Sequence, residues 1–274
     1  MIVAYIYARQ SQKSNVETFI LLLAVIDLVG CGFGMPMEMA ELSLRIQTKY
    51  LCKLYKFIIF NCYIMSSFIQ FTIAVELFRK ICHPLRKQVT PKLYQTLIIF
   101  MTVTSVVASL PVIFYIDTVP FSHEMKAYKV CGSSLSGSFV WSYAVAALIV
   151  HSILLLTMIV LYSFIWKTIT QHLRKKQGKE EAPRQQGFNC TIIVLFSISV
   201  LCFVSFTPTL VFCVIYPYCN DSNLLQIFKV VLYRTWILNS SLNPMFNGFC
   251  NKIFQKNFVN IFTRGKGDFE IEKF

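Results

Sequence analysis

One carboxyl sits where hydrocarbon is expected. Asp27 lies inside the apolar run Phe19–Met39, and an ionisable side chain at that depth is costly and usually functional. Other apolar runs hold candidate polar partners: Ser66, 14 residues after Cys52, and Asn239, Ser240 and Asn243. Asn239 and Asn243 are four apart and share one helix face. Oxygen ligands of this kind suit a hard cation, beside which a buried carboxylate keeps its charge. The other possibility is a protonated Asp27 hydrogen-bonded to the asparagines. A second group is ionic: Lys56, Lys229 and Arg234 gather positive charge toward one end of the runs, with Glu38 nearby. They could hold a carboxylate or acidic side chain of a ligand, or Glu38 could pair with one of them internally.

Other chemistries find no residues. No nucleophile, base and acid stand together, so no enzyme is expected. There is no Gly-rich phosphate loop and no Cys/His cluster with zinc spacing; His83, His123, His151 and His172 are scattered.

The elements that must position these residues follow from composition. The chain has 274 residues, 55% hydrophobic and 14% charged, and a mean hydropathy of +0.58. A soluble domain carries about a quarter charged residues. That balance excludes disorder, a nucleic-acid module and most soluble enzymes, leaving an integral membrane protein. Five apolar runs are each long enough to cross a bilayer as a helix: Phe19–Met39, Leu54–Val75, Leu93–Ile116, Phe139–Ile165 and Phe188–Tyr216. A sixth, Leu225–Phe249, is more polar. Met1–Ala8 reaches only about 12 Å as a helix and is expected to be the inner end of a span whose first part is absent from this chain. Lys175–Gln186 reads as a mobile loop. Ile253, Phe254, Phe258, Ile261 and Phe262 recur at helical spacing, as in a short interfacial helix. The expected domain is therefore residues 1–262, an all-α bundle, with 263–274 as a short cytoplasmic tail.

Basic residues set the sidedness. Eighteen of the 26 Lys and Arg fall in one set of alternate loops and the tail, among them Arg79, Lys80, Arg174, Lys175 and Lys256. The positive-inside rule makes that side cytoplasmic, and anionic inner-leaflet lipid accounts for the net charge of +13 without nucleic acid. The sequon at Asn220 then lies outside, where glycosylation is possible. Cys52 and Cys131 also face the oxidising side, either paired or free.

These residues, in this order, resemble the rhodopsin-like (class A) G protein-coupled receptors. The resemblance runs from about Ala4 to Phe262. It rests on Leu23-Ala-Val-Ile-Asp27, on Cys52 followed 24 residues later by Glu76, and on His83-Pro84. It continues with Tyr162, Phe206-Thr207-Pro208 and Asn239-Ser-Ser-Leu-Asn243-Pro244. It implies a seven-transmembrane helix bundle in the plasma membrane, a Cys52–Cys131 disulfide, and a sodium ion at Asp27, Ser66, Asn239, Ser240 and Asn243. It implies a ligand cavity opening outward toward Glu38, Lys56, Ile59, Phe60, Tyr63, Phe206, Thr209, Phe212, Arg234 and Trp236. Glu76, Leu77, Phe78, Tyr162 and Asn247 would face a heterotrimeric G protein.

The departures carry information too. Asp/Glu-Arg-Tyr reads Glu76-Leu77-Phe78, Asn-Pro-x-x-Tyr ends in Asn247, Leu154 stands at the usual proline of the fifth span, and Phe206 replaces the common tryptophan. Ile59 occupies the position of the amine receptors' aspartate, which disfavours a simple amine ligand, and Arg79-Lys-Ile-Cys-His-Pro84 looks like peptide receptors. The expected function is a receptor for an extracellular ligand, a peptide foremost. The alternatives are a receptor-like protein without coupling (a decoy or partner subunit) and a transporter or channel.

Overall fold

A computed structural model describes residues 15–43, 48–85, 90–123, 126–133, 137–175, 183–215, 218, 228 and 231–250. Met1–Ala8, Asn220, Lys229 and the segment Lys252–Phe262 lie outside them, as does the side chain of Asn247. In lipid every backbone polar group must be satisfied within the segment, which leaves helices as the solution for these runs. The five long runs are helices apolar enough to cross a membrane. The first comprises α1 (Asn15–Val29), a π-helical turn Gly30–Gly34 and α2 (Met35–Leu42). It continues without a break because Val29, Gly34 and Met35 all keep helical backbone angles. The others are α3 (Lys49–Cys82), α4 (Pro91–Tyr115), α5 (Gly137–Lys175) and α6 (Pro183–Ile215). The sixth run is helical over α7 (Trp236–Cys250).

Helix ends follow local chemistry. Thr90 caps α4, its hydroxyl accepting from Leu93 N at 3.5 Å, with Pro91 in the first turn. Helix α3 closes at His83 because Pro84 cannot continue it, and Arg79 and Lys80 face the negative end of its dipole. Within the spans, hydroxyls such as Thr72, Ser109 and Ser163 donate to the carbonyl four residues earlier, so these polar residues cost little in hydrocarbon. Helix α6 begins at Pro183, inside the stretch expected to be a loop; its first residues extend the span on the basic side.

Helix α3 is the axis of the bundle: it packs against α1, the π turn, α4, α5 and α6. Helix α7 packs on α6 and α1. The inner core joins Phe19 and Leu23, Ile69, Ile73 and Leu77, Tyr162 and Ile165, Leu195, Ile198 and Phe203. A smaller outer core joins Tyr55, Ile59, Phe206 and Trp236. Exposed Ile99, Phe100, Val103, Ile153 and Leu156 ring α4 and α5, apolar surface that a bilayer covers.

The outer connection expected as a loop is a β-hairpin. Strands β1 (Ile116–His123) and β2 (Lys126–Ser133) pair antiparallel, Ile116 opposite Ser133 through His123 opposite Lys126. Cys131 of β2 is disulfide-bonded to Cys52 in the first turn of α3, their Cα atoms 5.8 Å apart. Lys49 adds an ion pair to Asp117 at 2.6 Å. The hydrogen bond from Lys49, then that from Thr118 N, holds the Asp117 carboxyl below its ordinary range. A lowered folded-state value means that this tether is complete at neutral pH and is lost as pH falls through that value.

The π turn solves a packing problem. A Cβ at Gly34 would lie 2.8 Å from the Trp236 ring, and one at Gly30 would lie 2.9 Å from Ser240 Oγ, whereas one at Gly32 would meet nothing within 4 Å. The two buried glycines let α1 and α7 approach. Gly34→Ala should therefore lower the stability by about 1–3 kcal/mol through overpacking. Gly32→Ala should be neutral or stabilising by up to about 1 kcal/mol. Thermal unfolding of both variants in detergent is the check, and equal effects would refute the close approach.

Candidate functional site

The oxygen-bearing residues converge. Asp27 (α1), Ser66 (α3), Asn239 and Ser240 (α7) line one small cavity of about 10 Å³ with Gly30, Gly34, Ile59, Cys62, Tyr63, Phe206 and Trp236. Asn243 closes its inner side, Nδ2 donating to Asp27 Oδ2 at 2.8 Å. All five polar residues are buried. Among the described residues no hydrogen bond reaches Asp27 Oδ1 or Asn239 Oδ1. A buried acceptor left in this state costs about 1–3 kcal/mol, so the cavity holds oxygen lone pairs open to a donor or a cation. Gln70, one turn below Ser66, donates to its Oγ at 3.5 Å; a neutral amide within an apolar run is a weak signal beside a carboxylate.

The outer cations are engaged. Lys56 Nζ lies 3.2 Å from Glu38 Oε1 and 2.8 Å from Glu41 Oε2, and Arg234 Nε lies 3.0 Å from Glu38 Oε2. The Tyr55 hydroxyl sits 2.5 Å from Glu38 Oε1, from Glu41 Oε2 and from the Lys56 ammonium. Of the two roles open to Glu38, the structure has internal pairing. Two carboxylates face two cations, so this group carries no net charge toward the cavity. Tyr55 and Glu41 are new members; the signal in the sequence was the adjacency of Tyr55 to Lys56 and the three-residue spacing of Glu41 from Glu38.

The other expected ligand contacts divide. Ile59, Tyr63, Phe206 and Trp236 line the cavity; Phe60, Thr209 and Phe212 do not. Thr209 donates to Leu232 O at 2.6 Å, and Phe212 packs edge-on to Tyr233, so both brace the segment that leads into α7. At the inner end Tyr162 meets Ser199 Oγ at 3.3 Å. Glu76 and Leu77 are buried, and Phe78 packs on His83 and Phe164.

A helical membrane bundle wound on α3, with a polar pocket at mid-depth between α1, α3 and α7 and a disulfide-tied outer hairpin, has the build of a seven-transmembrane receptor. The sequence profile of the 7 transmembrane receptor (rhodopsin family) matches residues 1–246. The melatonin receptor type 1B-B of Danio rerio is 23% identical over 274 residues, covering 96% of this chain and 76% of that protein. The type-1 angiotensin II receptor of Canis lupus familiaris is also 23% identical, over 280 residues, covering 95% and 75%. The chain belongs to the rhodopsin family of seven-transmembrane receptors, multi-pass proteins of the membrane that in general take an extracellular ligand and a G protein partner.

The outer ion network makes a graded expectation. The Glu38 side chain is 4% exposed and touches two cations, whereas that of Glu41 is 14% exposed and touches one. Glu38→Gln should cost about 3 kcal/mol, the penalty for leaving buried charge unpaired, and Glu41→Gln should cost less. Thermal unfolding ranks them; the reverse order would contradict the network.

Proposed function

We propose that the protein is a plasma-membrane receptor, C-terminus in the cytoplasm, whose outer half takes an extracellular peptide and whose pocket at Asp27 holds a sodium ion. The observation that carries the ligand reading is the neutralised outer network. Lys56 and Arg234 are committed to Glu38, so the ligand group that meets this network is neutral, and the ligand's charges stay at the mouth.

The pocket fits a hard monovalent cation. Asp27, Ser66, Asn239 and Ser240 line a common space and each carries an oxygen, those of Asp27 Oδ1 and Asn239 Oδ1 without a hydrogen bond, and Asn243 steadies the carboxylate. The ion supplies the countercharge that a carboxylate at this depth requires. A ligand shifts an equilibrium only through differential affinity, and a sodium ion held here favours the resting arrangement in which α1, α3 and α7 converge. Sodium at ten times its Kd should stabilise the purified protein by about 1.4 kcal/mol. Equimolar choline should not, and Asp27→Asn should remove the difference. A variant that keeps the full response would reject the site.

At the inner end the favoured partner is a heterotrimeric G protein, engaged weakly. Leu77 stands where the resemblance expects arginine and is packed in the inner core with Ile73, Tyr162 and Ile165. No cation turns from that position toward a partner, an absence worth about 1.5–3 kcal/mol or roughly ten- to a hundredfold in affinity. This observation also favours the second reading, a receptor-like chain that binds its ligand and does not couple. Basal nucleotide exchange should be low and should rise about tenfold or more in Leu77→Arg combined with Asn247→Tyr. Robust exchange by the unmodified chain, unimproved by the substitutions, would contradict this account.

A further inference from the structure

Cys62 differs from the other thiols described in the bundle. Cys31 Sγ donates to Ser240 O at 3.5 Å, and Cys202 Sγ pairs with Ser67 Oγ at 4.0 Å. Cys82 meets Thr168, and Cys213 meets Tyr233. Cys62 has no hydrogen-bond partner among the described residues, and it lines the pocket that contains Asp27. Two more groups of that pocket are likewise unengaged there: Asp27 Oδ1 and Asn239 Oδ1, both buried. Asn243 occupies only the other carboxylate oxygen. A thiol, a carboxylate oxygen and an amide oxygen therefore border one small space, each with its lone pairs unused.

The thiol changes which ions this space suits. Hard cations bind oxygen, whereas thiolate selects soft and borderline ones. Zinc accepts thiolate and oxygen donors together in a tetrahedral set, while calcium and magnesium need larger, all-oxygen shells. The pocket offers the smaller set: Asp27, Cys62, Asn239 and a hydroxyl of Ser66 or Ser240. Its volume of about 10 Å³ leaves room for one small ion. Charge balances too. On binding zinc, Cys62 releases its proton to solvent, and thiolate plus carboxylate cancel the divalent charge. With sodium the thiol keeps its proton, and the carboxylate alone cancels the single charge. Either ion leaves the site neutral at a depth where net charge is costly. The donors come from α1, α3 and α7, so no Cys/His spacing along the chain announces them.

We propose that Asp27, Cys62 and Asn239 form a site for a thiophilic divalent cation, zinc foremost, which competes with sodium, and that Cys62 is the residue that selects it. This rests on the reading of the pocket as a cation site, and separate sodium and zinc arms keep the two ideas distinguishable. The purified full chain, in choline chloride without chelator, is titrated with zinc while thermal unfolding is followed. A parallel titration with cadmium follows the ultraviolet absorption of a thiolate–metal bond.

Zinc should raise the unfolding midpoint, cadmium should produce the absorption band, and sodium should raise the apparent Kd for zinc in proportion to its concentration. Cys62→Ser keeps a hydroxyl at the site. It should weaken zinc by at least about a hundredfold, since even partners one shell away from a metal are worth about ten- to a hundredfold. The same variant should keep the original midpoint in metal-free buffer, should lose the cadmium band and should still respond to sodium. Zinc bound as tightly by Cys62→Ser as by the unmodified chain, or no cadmium band in the folded unmodified chain, would overturn the proposal. A sodium response without a zinc response would reject zinc here and leave the sodium reading intact; a zinc response that Cys62→Ser removes, without any sodium response, would do the reverse.

Discussion

The hydrogen bond from Asn243 Nδ2 to Asp27 Oδ2 joins residues 216 apart in sequence and is buried at both ends. It cannot be exchanged for a bond to water without opening the bundle, and at low dielectric its loss strands a carboxylate. The contact requires α1 and α7 to lie close, and Gly30 and Gly34 provide that closeness by presenting no Cβ to Ser240 and Trp236. With the two helices fixed, Ser66 and Asn239 complete the pocket, and the Trp236 ring becomes the wall between the pocket and the outer network.

Helix α3 distributes the polar work by depth. Tyr55 and Lys56 meet the glutamates at the outer end, Tyr63 meets His151, Ser66 lines the pocket with Gln70 hydrogen-bonded one turn below it, and Leu77 closes the inner core. Ile59, Tyr63, Ser66 and Gln70 stand at the four-three-four spacing of one helix face. The chemistry of the receptor is thus strung along a single stripe, and neighbouring spans supply one partner at each level. Polar groups are tolerated in the bundle because nearly all of those described are paired, and two of the remaining oxygens, Asp27 Oδ1 and Asn239 Oδ1, belong to residues that line one pocket.

Much of this was legible from the residues. Runs of some 20 apolar residues have one stable form in lipid, so five spans were placed from hydropathy alone, and Asp27 stood out because charge in hydrocarbon is rare. The π turn was not legible, because it is set by the approach of α7 and not by the glycines' own preferences. The hairpin escaped because strands of eight residues give a weak periodic signal in a loop anchored by a disulfide. Glu38 could be recognised as important, but its choice between an internal partner and a ligand depends on how Arg234 and Lys56 are aimed, which spacing does not encode. His151 carries the same signal as Asp27, an ionisable group within an apolar run, but its partners Tyr63 and Thr207 lie 88 and 56 residues away on other spans, a pairing that spacing does not encode.

A double-mutant cycle on Asp27→Ala and Asn243→Ala, read by thermal unfolding in sodium-free buffer, measures the contact on which this arrangement rests. A charge-assisted buried bond should give a coupling energy of about 1.5–3 kcal/mol. The exchanged pair, Asp27→Asn with Asn243→Asp, should recover most of what either single exchange loses. Additive losses in the cycle, with no recovery in the exchanged pair, would show that α1 and α7 are held together by something other than this bond.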